Sequence, residues 1–112
     1  MLWLFFCYAA RSIIVLTMDK LEYFGKVIKV VTELTDVSEE AILGKSRESE
    51  VVDARWMVIH FMRVMGYKTS EIAKLINHPE RTVNHATQMF MDRVRYSYSL
   101  GNIFFSARQQ LL

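Results

Sequence analysis

The sequence is poor in the residues that make tight turns and cross-links. Its 112 residues include one proline, four glycines and one cysteine. Because chains rich in β-turns need more glycine and proline, the composition argues against a β-sandwich and favours one helical domain. The single cysteine, Cys7, excludes an internal disulfide framework and a multi-cysteine zinc site.

Neither sign of charge is in large excess. Fourteen basic and twelve acidic side chains give a formal net charge of +2. Such a balance does not by itself indicate nucleic-acid binding, so a basic surface must arise from the local arrangement of charges. The histidines His60, His78 and His85 lack metal-ligand spacing. The sequence also lacks a nucleophile elbow, a metalloprotease helix motif and a convincing carboxylate pair, so it predicts no enzyme, cofactor or metal site.

One short motif resembles part of a nucleotide-binding loop but lacks a glycine that the loop requires. Gly44-Lys45-Ser46 resembles the end of a phosphate-binding P-loop. That motif requires another glycine five residues earlier, where this chain has Glu39, and a carboxylate there opposes phosphate. We therefore expect no bound nucleotide.

The first seventeen residues are almost wholly apolar. Arg11, their only charge, divides them into the runs 2–10 and 13–16. Both runs are shorter than the roughly 20 residues of a membrane-spanning helix, and no positively charged side chain precedes the first run as in a signal peptide. We place residues 1–17 outside the functional domain 18–112, as a docking segment or the product of a start codon assigned upstream of Met18. A membrane or targeting role is the less favoured alternative, and we expect a cytoplasmic protein.

Apolar residues recur at helical spacing through the rest of the chain, which predicts an all-α bundle of five to six helices. A helix over about 50–65 is predicted to lie at the centre of the bundle, because its apolar residues cover more than one of its faces. The other predicted bounds are caps at Asp19 and Ser38, ends at Gly44 and Gly66, and a last helix over 102–112.

A helix-turn-helix pattern covers about residues 69–96. Thr69 or Ser70 caps a short helix, and after a break Pro79 takes the first position of a second helix with His78 as its N-cap. Two helices joined by a tight turn of this kind form the basic DNA-reading unit.

The exposed face of the second helix carries side chains that suit base edges. Arg81, Asn84, His85 and Gln88 follow one another at i, i+3, i+4 and i+7. Arginine binds guanine through two acceptors, and Asn or Gln pairs with adenine. A solvated polar face is the alternative, but the preceding helix and tight break favour DNA reading. Glu80 stabilises the helix dipole; it could accept a hydrogen bond from cytosine, but it repels phosphate.

Three segments resemble the C-terminal DNA-binding domain of the bacterial replication initiator DnaA, which is all-helical and related in fold to the Trp repressor. They are Gly44-Lys45-Ser46-Arg47 through Ala54-Arg55, Ser70-Glu71-Ile72-Ala73, and Arg81-Thr82-Val83-Asn84-His85-Ala86. The resemblance covers roughly residues 21–94. It implies a stand-alone DnaA-like domain, because no ATPase domain fits in the chain, with double-stranded DNA as its partner.

Carried over by position, the resemblance implies that Arg47 enters the minor groove and that Arg55 and Arg63 approach the phosphate backbone. Residues 78–81 depart from the family, which has a basic residue, Asp, His and Ser/Thr there, so the family's usual DNA box is not expected. Trp56 stands at a position that is usually polar. The candidate DNA-binding residues are Arg47, Arg55, Arg63, Lys68, Thr69, His78, Glu80, Arg81, Thr82, Asn84, His85 and Gln88.

Sequence-specific binding of duplex DNA, in transcription regulation or in replication or transposition of a mobile element, is therefore the leading hypothesis. The alternative is a protein-interaction module that keeps the fold and has lost DNA recognition, and Glu80 and the low net charge motivate it. The sequence leaves open whether the protein forms a homo-oligomer.

Overall fold

The computed structural model describes residues 20–111, which contain six α-helices and no strand. The helices are α1 (Lys20–Thr35), α2 (Glu39–Leu43), α3 (Ser49–Val64), α4 (Thr69–Ile76), α5 (Glu80–Tyr96) and α6 (Tyr98–Leu111). The predicted all-α fold is confirmed. Each of these helices is too short or too polar to cross a bilayer. The interpretation of residues 1–17 and the cap at Asp19 lie outside the described residues.

Helix α3 is the centre of the bundle. It packs against α1, α2, α4 and α5. Met57, Val58 and Ile59 are adjacent in sequence and all fully buried, so the helix buries more than one of its faces. A surface helix would bury a single stripe at 3–4 spacing. The sequence-based prediction of a central helix is therefore confirmed.

Helix α3 ends in a Schellman motif. Gly66 adopts a left-handed φ of +92°, a conformation that glycine accepts without steric cost. Its N–H donates to Arg63 O at 3.0 Å, and the N–H of Tyr67 donates to Met62 O at 3.2 Å. The predicted stop at Gly66 is confirmed, and the motif turns the chain towards α4.

Two predicted N-caps lie one or two residues from the observed ones. Helix α4 begins at Thr69 with Lys68 as its N-cap, because the Glu71 carboxylate reaches back to accept the Lys68 N–H at 3.3 Å. Helix α5 begins at Glu80 with Pro79 as its N-cap instead of His78. The Pro79 carbonyl accepts the first hydrogen bonds of that helix, which is the defining property of the N-cap.

Helix α6 packs against α1 and α5 and closes an aromatic cluster. The ring of Phe104 lies with its centroid 5.2 Å from His60, 5.5 Å from Phe61 and 5.6 Å from Phe90. Burial among these rings lowers the pKa of His60, and the nearby positive charge of Arg108 lowers it further. His60 is therefore a half-buried packing residue.

The lowered pKa of His60 predicts that acid weakens the fold. Because the unfolded chain protonates this ring at a higher pH than the folded chain, the free energy of unfolding should fall as the pH drops through about 6.5. His60→Gln should make that fall shallower; a remainder is expected, because burial also lowers the pKa of His78. Urea denaturation of both proteins between about pH 8 and pH 5 measures the slope. Equal slopes would contradict the prediction.

Candidate DNA-binding surface

Helices α4 and α5 meet in a tight turn. Asn77 ends α4 in the left-handed conformation, with a φ of 58°, and its N–H donates to Ala73 O. Pro79 is extended and leads directly into α5. Helix α5 ends at Tyr96, as the apolar spacing of the sequence predicted. The pair forms the two-helix unit expected over about 69–96.

Residues 44–48 connect α2 to α3 and are called the basic loop here, because they contain Lys45 and Arg47. Arg55, on α3, binds the backbone of this loop and of the end of α2. Its guanidinium donates to four backbone carbonyls: Nε to Ile42 O at 2.7 Å, Nη1 to Ser46 O at 3.1 Å, and Nη2 to Gly44 O at 2.9 Å and Ala41 O at 3.2 Å.

The role that the resemblance implied for Arg55 at the phosphate backbone is wrong. The side chain is 4% exposed and its three nitrogens are all used by carbonyls of the preceding segment. Burial also lowers the pKa of Arg55, since a charged group loses its water there. Arg55 therefore fixes the path of the basic loop instead of contacting a ligand.

Two hydrogen bonds tie the basic loop to the helix-turn-helix turn. His78 Nε2 lies 2.8 Å from Gly44 O, and since a carbonyl only accepts, this ring nitrogen carries the proton and donates. Lys45 Nζ donates to Asn77 O at 2.6 Å in the opposite direction. Burial lowers the pKa of His78, while its bond to Gly44 acts the other way. His78, a predicted DNA contact, thus has an intramolecular partner.

A groove of about 750 Å³ lies between the basic loop and the start of α5. Its lining residues are Lys45, Ser46, Arg47, Val52, Arg55, Trp56, His78, Arg81, Thr82 and His85. No carboxylate is among these residues, which the structure describes in full. The groove brings together six predicted residues from distant parts of the sequence: Arg47 on the loop, Arg55 on α3, His78 in the turn, and Arg81, Thr82 and His85 on α5. Its lining is accordingly positive.

Trp56 forms part of the groove wall, and its presence there was not predicted. The ring of His85 meets it edge-on, with centroids 5.4 Å apart. The guanidinium of Arg93 lies 5.1 Å from the Trp56 ring centroid, and its Nε lies 2.6 Å from Asp53 Oδ1. Burial raises the pKa of Asp53, and Arg93 opposes that rise. These contacts hold α5 against α3. The sequence signalled Trp56 only as a departure from the family's usual polar residue.

Other candidate residues lie beside this groove rather than in it. Arg81, Asn84, His85 and Gln88 form one row of exposed side chains on α5, called the stripe here. Thr69 Oγ1 donates to Asn84 Oδ1 at 3.4 Å, which joins the start of α4 to this stripe. Glu80 lines a neighbouring hollow of about 640 Å³ together with Lys45 and Lys74. Two lysines therefore lie in the same hollow as Glu80, whose carboxylate is unfavourable for phosphate binding at the start of α5.

The remaining candidates are exposed. Arg63 lies near the end of α3, where its Nη1 donates to Tyr67 O at 3.1 Å. Lys68 caps α4, and Gln88 continues the stripe of α5 by one turn beyond Asn84. None of the three belongs to the groove lining. Their contact with DNA stays a prediction.

The model of the family described as the bacterial DnaA protein helix-turn-helix matches residues 24–89, more than half of the chain. The chain belongs to this family. The resemblance to DnaA is thus confirmed, and the family is one of DNA-binding domains. The matched residues contain the basic loop, all of α3 and α4 and the first part of α5, while α6 lies beyond them. Comparisons with curated proteins and with solved structures found no match.

Proposed function

We propose that this DnaA-type domain binds duplex DNA sequence-specifically, with α5 in the major groove and the basic loop towards the adjacent minor groove. In that role it would regulate transcription or assist replication or transposition of a mobile element. The observation that supports the proposal most strongly is the groove itself, where Arg47 from the loop and Arg81 from α5 share one surface without a carboxylate.

The stripe on α5 has the dimensions of a short DNA site. From Arg81 to Gln88 the helix rises by about 10 Å, which corresponds to about three base pairs. The four side chains of the stripe are exposed, so they are free of the protein core. Arg81 at the helix start suits guanine, and Asn84 and Gln88 suit adenine.

The starts of α4 and α5 suit phosphate. No side chain caps the start of α5 by a hydrogen bond, whereas at the start of α4 the Glu71 carboxylate accepts the Lys68 N–H. Backbone N–H groups at such an end, together with the helix dipole, attract anions. Lys68 and Thr69 lie at the start of α4, and the exposed Arg63 precedes them along the chain. We assign these three residues to the DNA backbone, where they would position the domain without reading sequence.

Loss of the basic-loop arginine tests the proposal. Arg47→Ala should weaken binding to a duplex by about 1–2 kcal/mol, because it removes a positive charge and a minor-groove contact. Arg95→Ala is the matched control: it also removes one charge, but Arg95 lies about 21 Å further along α5 from Arg81. The control should lose less than about 0.5 kcal/mol. Fluorescence anisotropy measures both affinities, and equal losses would contradict the groove as the DNA-binding surface.

A further inference from the structure

We infer that His78 is a positioning residue, which sets the basic loop at the distance from α5 that simultaneous contact with two DNA grooves requires. The inference rests on the proposed function. It concerns a residue that sequence reasoning had assigned to DNA contact, and it follows from the hydrogen bond that His78 Nε2 donates to Gly44 O at 2.8 Å.

The bond joins two elements that each carry a DNA-reading arginine. Gly44 is the first residue of the basic loop, three residues before Arg47. His78 precedes α5 and lies three residues before Arg81. Each partner of the hydrogen bond therefore lies close in sequence to the arginine whose position it would fix. The pair bridges 34 residues of sequence, so it adjusts a tertiary distance that neither helix sets alone.

The loop has its own anchor to α3, which separates positioning from folding. Arg55 holds four carbonyls of residues 41–46, and the imidazole of His78 takes part in none of these bonds. Lys45 Nζ also donates to Asn77 O at 2.6 Å, a second link between loop and turn that does not use the imidazole. Loss of the imidazole should therefore leave the loop folded but its distance to α5 less fixed. Two contacts held at a fixed spacing bind as one unit, and loosening that spacing lowers affinity without removing either contact.

The ring geometry supplies a sharp set of variants. The terminal amide nitrogen of glutamine lies about as far from the backbone as imidazole Nε2, whereas the shorter asparagine amide corresponds to Nδ1. His78→Gln should therefore retain the bond to Gly44, and His78→Asn and His78→Ala should lose it. We expect affinity for a duplex selected by the wild-type chain to fall about three- to tenfold in the Ala and Asn variants and to stay near wild type in the Gln variant.

A double-mutant cycle with Arg47→Ala measures the coupling between His78 and Arg47 in DNA affinity. A merely structural role of His78 would not produce such coupling. In the wild-type background the loss of Arg47 should weaken binding more than in the His78→Ala background, because a loop that is not held in place uses Arg47 poorly. Urea denaturation of each full-length variant identifies those that remain folded.

The outcomes separate the inference from the function on which it rests. Wild-type affinity in His78→Ala, equal behaviour of the Gln and Asn variants, or an undiminished effect of Arg47→Ala would each overturn the positioning role while leaving DNA binding intact. Absence of duplex binding by the wild-type chain would overturn both.

Discussion

Replacing Arg55 with methionine should lower the free energy of unfolding by about 3–5 kcal/mol. Methionine keeps the apolar stem of the side chain, but it leaves the carbonyls of Ile42 and Ser46 without their donor, and Gly44 O keeps its bond from His78 alone. Replacing both members of a buried polar pair by apolar groups is often harmless, whereas here the acceptors are backbone atoms that stay in place. The cost of leaving them unpaired therefore outweighs the gain from removing a buried charge.

Urea denaturation measures this effect, and two variants calibrate it. Arg47→Met removes an exposed guanidinium from the same loop and should change stability by less than about 0.5 kcal/mol. Arg55→Lys keeps the charge but not the planar fork that serves several carbonyls at once, so it should recover only part of the loss. If Arg55→Met kept wild-type stability but showed reduced, salt-dependent affinity for DNA, Arg55 would contact phosphate as the family resemblance implies.

Replacing Arg81 with alanine should cost about 1–3 kcal/mol of affinity for the preferred duplex and relax the preference at one base pair. Arg81 is exposed in the first turn of α5 and lines the groove beside Thr82 and His85. A guanidinium there offers two parallel donors, the pattern that matches the two acceptors of guanine. Affinity for unrelated duplexes should fall less, because only the charge contributes to it.

Selection from a randomised duplex pool, with wild-type and variant chains side by side, measures the preference of each. Arg81→Lys separates charge from geometry: it should preserve the salt dependence of binding but lose the preference at that base pair. An unchanged preference profile in Arg81→Ala would show that Arg81 does not read a base.

Local patterns predicted most of the fold. The spacing of Val83, Ala86 and Phe90, all fully buried, gave α5 its inward face and its end at Tyr96. Ser38 accepts the Ala41 N–H at 3.2 Å, as its predicted role as an N-cap requires. These features depend on residues within one or two turns of each other, and sequence reasoning has access to them.

The ends of two other helices were predicted less well. Helix α6 begins at Tyr98 instead of about residue 102, because Ser97 Oγ accepts the Leu100 N–H at 3.3 Å and the helix tolerates Gly101. In α1 the apolar Leu21 is 65% exposed, although it stands at helical spacing with the apolar residues that follow it, while Tyr23 is 1% exposed and stacks on Tyr67. Which residue of a helix end is buried depends on where its neighbours end.

The same distinction holds for the candidate site. The stripe from Arg81 to Gln88 is local to one helix and could be predicted from spacing alone. The groove depends on the basic loop lying against α5, and that placement results from Arg55 and His78, whose carbonyl partners lie 9 to 34 residues away. The family resemblance placed Arg55 at DNA, and His78 was among the candidate DNA-binding residues, whereas both side chains bond to the backbone of their own chain.

The most direct test of the central claim is the anisotropy of a labelled, randomised duplex pool titrated with the full chain at low and at moderate salt. The account predicts binding that weakens steeply as salt rises, by a slope of about 0.9 in log–log terms for each phosphate contacted, and enrichment of particular sequences in the bound fraction. Absence of binding at low salt would contradict the account and favour a protein-interaction module that has kept the DnaA-type fold.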